Sequence, residues 1–168
     1  MDETLLIRPA TVDDINSIGF LAQQIWPDAY REILSPEQLK YMLKLFYSPK
    51  ALRRQMLDDH HQFLIVEQGG EPIGFASWSP MDSGVYKLHK LYVLSGRQGK
   101  GLGRALLQFI FETIRPEGGR RLRLNVNRHN KARQFYERMG FAVVGEEDID
   151  IGHGYYMNDY IMEVPVPG

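Results

Sequence analysis

The chain predicts an α/β fold of the α+β kind: a mostly antiparallel central sheet flanked by helices, in a single domain over residues 1–168. Three observations carry this. Residues 61–93 fall into three apolar-rich runs joined by short turns, which reads as an antiparallel meander. Apolar residues recur at helical spacing before that meander and again over residues 105–114. A strand, a glycine-rich turn and a helix then follow one another directly over residues 87–108, KLHKLYVLSGRQGKGLGRALLQ.

Taken in order, residues 4–8 form a short strand that Pro9 ends. Thr11, with Asp14 three residues on, comes close to a capping box for a helix whose apolar stripe is Ile15, Ile18, Leu21, Ala22 and Ile25. Pro27 is expected to break that helix and leave Trp26 and Tyr30 flanking a loop. Ser35 and Pro36 open a second helix, with serine as N-cap and proline at the first position. Its inner face is Leu39, Met42, Leu43 and Phe46; Pro49 interrupts it, and residues 50–58 give another helical turn or two. Residues 61–67 are a strand, Gly69-Gly70 a hairpin turn, residues 73–79 the partner, and residues 86–93 continue the sheet.

Beyond the glycine-rich turn, Ala105, Leu106, Leu107, Ile110, Phe111 and Ile114 mark a helix that Pro116 to Gly119 stops. Leu122, Leu124 and Val126 alternate with Arg and Asn as a strand. Ala132, Phe135, Tyr136 and Met139 mark a helix closed by Gly140. Phe141 begins another strand. The acidic run Glu146, Glu147, Asp148 and Asp150, through Gly154, reads as a long hairpin loop, and residues 155–164 return as the last strand.

Composition narrows the function classes. The 43% hydrophobic and 24% charged content is that of an ordinary globule, and a formal net charge of −1 gives no global reason to expect nucleic acid or membrane as partners. A local basic cluster, Arg115, Arg120, Arg121, Arg123, Arg128, Lys131 and Arg133, reads as a solvated face that partly attracts phosphates. There is no cysteine, so no disulfide, thiolate metal site or cysteine nucleophile. The five histidines have no metal-ligand spacing, so no metal is implied. The N-terminal residues lack a basic region followed by an apolar run, and no stretch approaches the roughly 18 apolar residues of a membrane span. A cytoplasmic protein is the default expectation. Monomer and homodimer are both left open.

The glycine-rich turn carries the chemistry. A turn of this kind feeding a helix presents free backbone N–H groups and a positive dipole end to an anion. The spacing is not that of a P-loop, because Gly101 follows Lys100 where a Ser or Thr should stand. Nor is it the dinucleotide fingerprint, whose third small residue would fall on Arg104 or Leu106. The run Gln98-Gly99-Lys100-Gly101-Leu102-Gly103, preceded by Leu91-Tyr92-Val93, instead resembles the Q/R-x-x-G-x-G/A signature of the GNAT superfamily of N-acetyltransferases. Residues 130–141, Asn130 to Phe141, resemble the second signature of that superfamily. The ending, residues 154–162, is similar to proteins grouped with the PaiA-type polyamine acetyltransferases.

The resemblance implies a mixed sheet whose fourth and fifth strands splay apart, acetyl-CoA as co-substrate, and a small-molecule amine as acceptor, such as a polyamine. It implies that Gln98 through Arg104 (Gln98, Gly99, Lys100, Gly101, Leu102, Gly103, Arg104) hold the pyrophosphate. Leu91, Tyr92 and Val93 would pair with the pantetheine arm, Asn130 would contact that arm, and Tyr136 would lie near the sulfur as proton donor. The segment between the first two helices would line the acceptor site, with Trp26 and Tyr30 as its candidates. A free alkylamine has a pKa of about 10.4, so a base is needed at neutral pH. Many family members carry Glu where this chain has Lys87; that departure favours His89, alone or through water, as base. His61, His129 and His153 are its rivals. With no cysteine, direct transfer is expected rather than an acetyl-enzyme. The alternatives are a protein N-terminal or lysine acetyltransferase and a non-catalytic acyl-CoA-binding regulatory module.

Overall fold

A computed structural model describes residues 4–97 and 101–168, so Gln98, Gly99 and Lys100 of the expected phosphate turn lie outside the described residues. Strand β1 (Leu5–Pro9) leads through a short 3-10 turn into α1 (Ile15–Tyr30), followed by α2 (Pro36–Tyr47) and α3 (Pro49–Leu57). The meander is β2 (Gln62–Gln68), β3 (Glu71–Asp82) and β4 (Val85–Val93). Then come α4 (Leu102–Ile114), β5 (Arg121–Asn127), α5 (Ala132–Arg138), β6 (Ala142–Gly152) and β7 (Tyr155–Pro165).

Local chemistry explains most boundaries. The Thr11 hydroxyl accepts from the Asp13 N–H while the Thr11 N–H donates to Asp14 Oδ2 at 2.9 Å, which completes the capping box. Ser35 and Ser48 cap α2 and α3 by accepting from the Gln38 and Ala51 N–H groups, each with proline at the first turn. Two expectations fail. Helix α1 runs through Pro27 to Tyr30 rather than breaking. The carbonyl left without a donor belongs to Gln23, whose residue is exposed and can meet water, while Trp26 and Tyr30 are buried and tie the last turn to the core. The acidic run is not a long loop: Glu146 to Asp150 lie inside β6, paired with Tyr156 to Tyr160 of β7, and only His153 and Gly154 form the turn. As an edge strand β6 has one open side, where charge keeps other strands away.

The seven strands are ordered β1-β2-β3-β4-β5-β7-β6. The β1–β2, β2–β3, β5–β7 and β6–β7 pairs are antiparallel and β4–β5 is parallel, so the sheet is mixed. The chain divides into two compact units: residues 1–79 with 90–107, and residues 80–89 with 108–168. The first unit buries Ile18, Leu52, Leu64, Ile65, Ile73, Phe75 and Leu106; the second buries Ile110, Ile114, Leu122, Leu124 and Met162. In the first unit β3 crosses β4 very closely: a Cβ on Gly74 would stand 2.7 Å from the Tyr92 carbonyl oxygen, so only glycine fits.

Candidate active site

In the first unit α4 begins at Leu102, and the Ala105 N–H donates to the Gly101 carbonyl at 3.0 Å. The N–H groups of the first helical turn point outward with no partner inside the helix. Leu102 is buried and anchors this end, while Gly103 is half-buried and Arg104 exposed. Gly101 has φ +77°, and a Cβ there would meet nothing within 4 Å. Its glycine is required by the left-handed backbone and not by lack of room.

On β4, Leu91 and Tyr92 are half-buried and Val93 is buried. The Tyr92 hydroxyl lies 2.9 Å from that of Tyr30. Because α1 continues through Pro27, Trp26 and Tyr30 are i,i+4 neighbours, with ring centroids 4.6 Å apart; Trp26 is also 5.9 Å from Tyr92 and 5.4 Å from Tyr47. The expected acceptor-site pair and one expected donor-site residue therefore form one aromatic cluster. Trp26 is only 5% exposed, so its faces are spent on neighbouring rings rather than offered to a ligand.

Beside that cluster sits a residue that no sequence motif singles out. Lys90 is buried, its ammonium donates to Gln55 Oε1 at 2.9 Å, and it lies 5.1 Å from the Tyr47 ring and 5.6 Å from that of Phe63. Burial lowers its pKa to about 7. Strand alternation carried the signal: Lys90 falls in register with Tyr86 and Leu88, which are inward.

In the second unit the parallel β4–β5 ladder runs from Val85↔Arg121 to Leu88↔Leu124 and stops, although β4 continues to Val93 and β5 to Asn127. His89 and Asn125 are the first residues past the last pair. Leu88 and Leu124 are buried, so by alternation His89 and Asn125, both half-buried, lie on the opposite face. Asn125 Nδ2 donates to Glu147 Oε1 at 2.9 Å and to Asp159 Oδ2 at 3.3 Å. Asp159 is 3% exposed; burial pushes its carboxyl above the usual range, with Asn125, Lys87 and Arg128 opposing and Glu147 reinforcing.

Tyr136 is buried on α5, edge-on to Phe135 and Phe141 at 5.2 and 5.4 Å. Asn130 Oδ1 accepts from the Ala132 N–H at 2.9 Å and so supports the entry to α5. The basic cluster is solvated only in part: Arg120, Arg121 and Lys131 are exposed, while Arg121 and Arg123 pair with Glu163, Arg128 with Asp148, and the Arg133 guanidinium stacks on Tyr160 at 4.6 Å. Those acidic partners come from β6 and β7, far along the chain, so the sequence did not announce them. No helix among the described residues is long and apolar enough to cross a membrane.

The fold is a mixed sheet with one parallel pair, β4–β5, and helices between its strands. The chain belongs to the GNAT family of acetyltransferases: residues 30–156 match the acetyltransferase (GNAT) domain. It is 32% identical, over 71% of its length and 85% of the relative's, to the 5-NmdU N-acetyltransferase of Pseudomonas phage PaMx11. It is 33% identical to YhfO, an uncharacterized N-acetyltransferase of Bacillus subtilis, over 95% of this chain and 97% of that one. Among solved structures, the PaiA N-acetyltransferase of Thermoplasma acidophilum in complex with coenzyme A superposes with a TM-score of 0.83 at 25% identity, covering 96% of this chain and 99% of that chain. The protein is an N-acetyltransferase.

Proposed function

We propose that this enzyme, a single acetyltransferase domain over residues 1–168, moves acetyl from acetyl-CoA directly to a primary amine of a small cationic molecule such as a polyamine. The observation that carries the reading is that the parallel β4–β5 ladder ends at Leu88 and Leu124 while both strands run on, the setting in which an amide-rich pantetheine arm can pair as an extra strand. The CoA-bound PaiA structure supports both the donor and a PaiA-like placement.

The residues divide the work. The outward N–H groups of the first turn of α4, with Gly101, Leu102, Gly103 and Arg104, hold the pyrophosphate, together with Gln98, Gly99 and Lys100 of the same sequence motif. Leu91, Tyr92 and Val93 pair with the arm, and a backbone N–H there faces the thioester oxygen. Asn130 contacts the arm. His89, alone or through water, takes one proton from the ammonium and frees the nitrogen lone pair. The amine nitrogen forms the new C–N bond, the C–S bond breaks, the Tyr136 hydroxyl gives its proton to the departing thiolate, and the second proton shed by the amide nitrogen reprotonates the phenolate. Tyr30 borders the acceptor, and Trp26 backs the Tyr30 ring from the core side.

A second acceptor reading rests on the phage relative: the amine carried by 5-NmdU. The experiment is release of free CoA thiol with spermidine, 5-NmdU and a lysine-bearing peptide offered side by side. Turnover with spermidine supports the first reading, and turnover with 5-NmdU alone replaces it. Turnover with the peptide alone makes this a protein acetyltransferase.

A further inference from the structure

Asn125 stands directly past the last β4–β5 pair, across from His89, and has no role in the chemistry described so far. Its amide nitrogen faces two carboxylates, Glu147 on β6 and Asp159 on β7. Ionised carboxylates only accept, so the nitrogen and not the oxygen must face them, and both amide protons are used. Strands β7 and β6 lie on the side of β5 away from β4. The two arms of a planar amide diverge, so Oδ1 is turned away from β7 and β6, and β4 is the neighbour of β5 on its other side. No bond to Oδ1 exists among the described residues, and Asn125 is half-buried rather than sealed.

We propose that Asn125 is an acceptor-binding residue: its Oδ1, locked in orientation by Asp159 and Glu147, accepts an N–H from the incoming amine and turns the nitrogen lone pair toward the acetyl carbon. Asp159 is then a positioning residue that acts through Asn125. The proposal rests on the end of the β4–β5 ladder being the reaction centre. Two features make this oxygen a good acceptor. Donation of both amide protons to carboxylates shifts electron density onto Oδ1. The attacking nitrogen also gains positive charge as the C–N bond forms, so the hydrogen bond strengthens in the transition state and contributes to kcat as well as to binding.

The test uses the full-length enzyme with whichever of spermidine, 5-NmdU or the lysine-bearing peptide the wild type acetylates. Asn125→Ala is expected to lower kcat/KM for the amine about 10- to 100-fold, the value of one charge-assisted hydrogen bond. The Kd for acetyl-CoA by calorimetry should be unchanged. Asp159→Ala, which frees the amide to rotate, should do the same; Asp159→Asn, which can turn its own Oδ1 to Asn125, should restore kcat/KM to within about threefold of wild type. A merely structural Asp159 would show no such rescue at equal stability. If Asn125→Ala does not fold, Asn125→Gln keeps the carboxylate contacts but misplaces the oxygen, and the same fall is expected. Wild-type kcat/KM in a folded Asn125→Ala or Asn125→Gln protein overturns this proposal alone. A wild type that binds acetyl-CoA yet acetylates none of the three amines overturns it together with the reading it rests on.

Discussion

Tyr136 is buried among Phe135 and Phe141, which fixes its ring and leaves the hydroxyl as the one group a conservative change can remove. A thiol ordinarily titrates at about 8.5 and a phenol at about 10, so a positioned phenol hydrogen-bonds the departing thiolate and returns its proton against only a small gradient, help worth on the order of 10²–10⁴-fold. Tyr136→Phe should therefore keep fold and acetyl-CoA affinity while kcat falls by about 10²-fold or more. Steady-state turnover at equal calorimetric affinity checks this, and full turnover would remove Tyr136 from the mechanism. At Gly101 the backbone conformation, and not crowding, is what a substitution would violate. Its missing Cβ faces open space, so Gly101→Ala should be nearly as harmful to acetyl-CoA binding as Gly101→Val, because both meet the same left-handed backbone at φ +77°. A Kd for Gly101→Ala equal to wild type, with only Gly101→Val impaired, would instead point to steric exclusion.

Among the elements, α1 contradicts its own local sequence. Proline in a helix interior costs a backbone bond, here the one to Gln23, yet Trp26 and Tyr30 on either side of it are held by Tyr47 and Tyr92. Tertiary packing outweighs the local preference. Pro27→Ala should restore the bond and raise unfolding free energy by about 1–3 kcal/mol in urea titration. Unchanged or lower stability would mean that the proline geometry itself aims Trp26 and Tyr30. Strand β6 is the companion case: AVVGEEDIDIG is too acidic to read as a strand alone, but Arg128 partners Asp148, and Asn125 partners Glu147. The cap of α2, by contrast, was legible, because a serine followed by proline is a local signal that nothing distant needs to complete; Ser48 and Pro49 open α3 in the same way, where Pro49 reads along the sequence only as an interruption.

Over the whole molecule, the pH dependence of stability has an unusual basic limb. The Lys90 pKa falls from 10.5 unfolded to about 7 folded. Between those values the unfolded chain binds more protons than the folded one, so stability rises with pH across that window; the penalty is complete below about 7 and absent above the unfolded value. The Asp14 and Glu163 carboxyls are held low, chiefly by Arg8 and Arg121, and their contribution is lost as pH falls through their folded pKa values. Urea unfolding should thus find the protein more stable at about pH 9.5 than at about pH 7. The double change Lys90→Met with Gln55→Leu should abolish that rise and gain about 1–4 kcal/mol near neutral pH. A profile over the same range identical to wild type in the variant would show that Lys90 is not its source.

Short-range patterns were enough to place the chain in its family and to give the order of its strands and helices along the chain, with Gly101 just before α4. These features rest on period-2 and period-3.6 apolar spacing, serine and proline caps, and glycines at left-handed positions, all of which are written in neighbouring residues. What lies across the sheet was decided only by the tertiary structure. It paired the arginines with Glu163 and Asp148, sank Lys90 beneath Tyr47 and Phe63, and turned the Asn125 amide by means of Glu147 and Asp159. Asn125 and Glu147 are 22 positions apart in the chain, and Arg121 and Glu163 are 42 apart. No local rule couples side chains that meet only when strands are laid side by side.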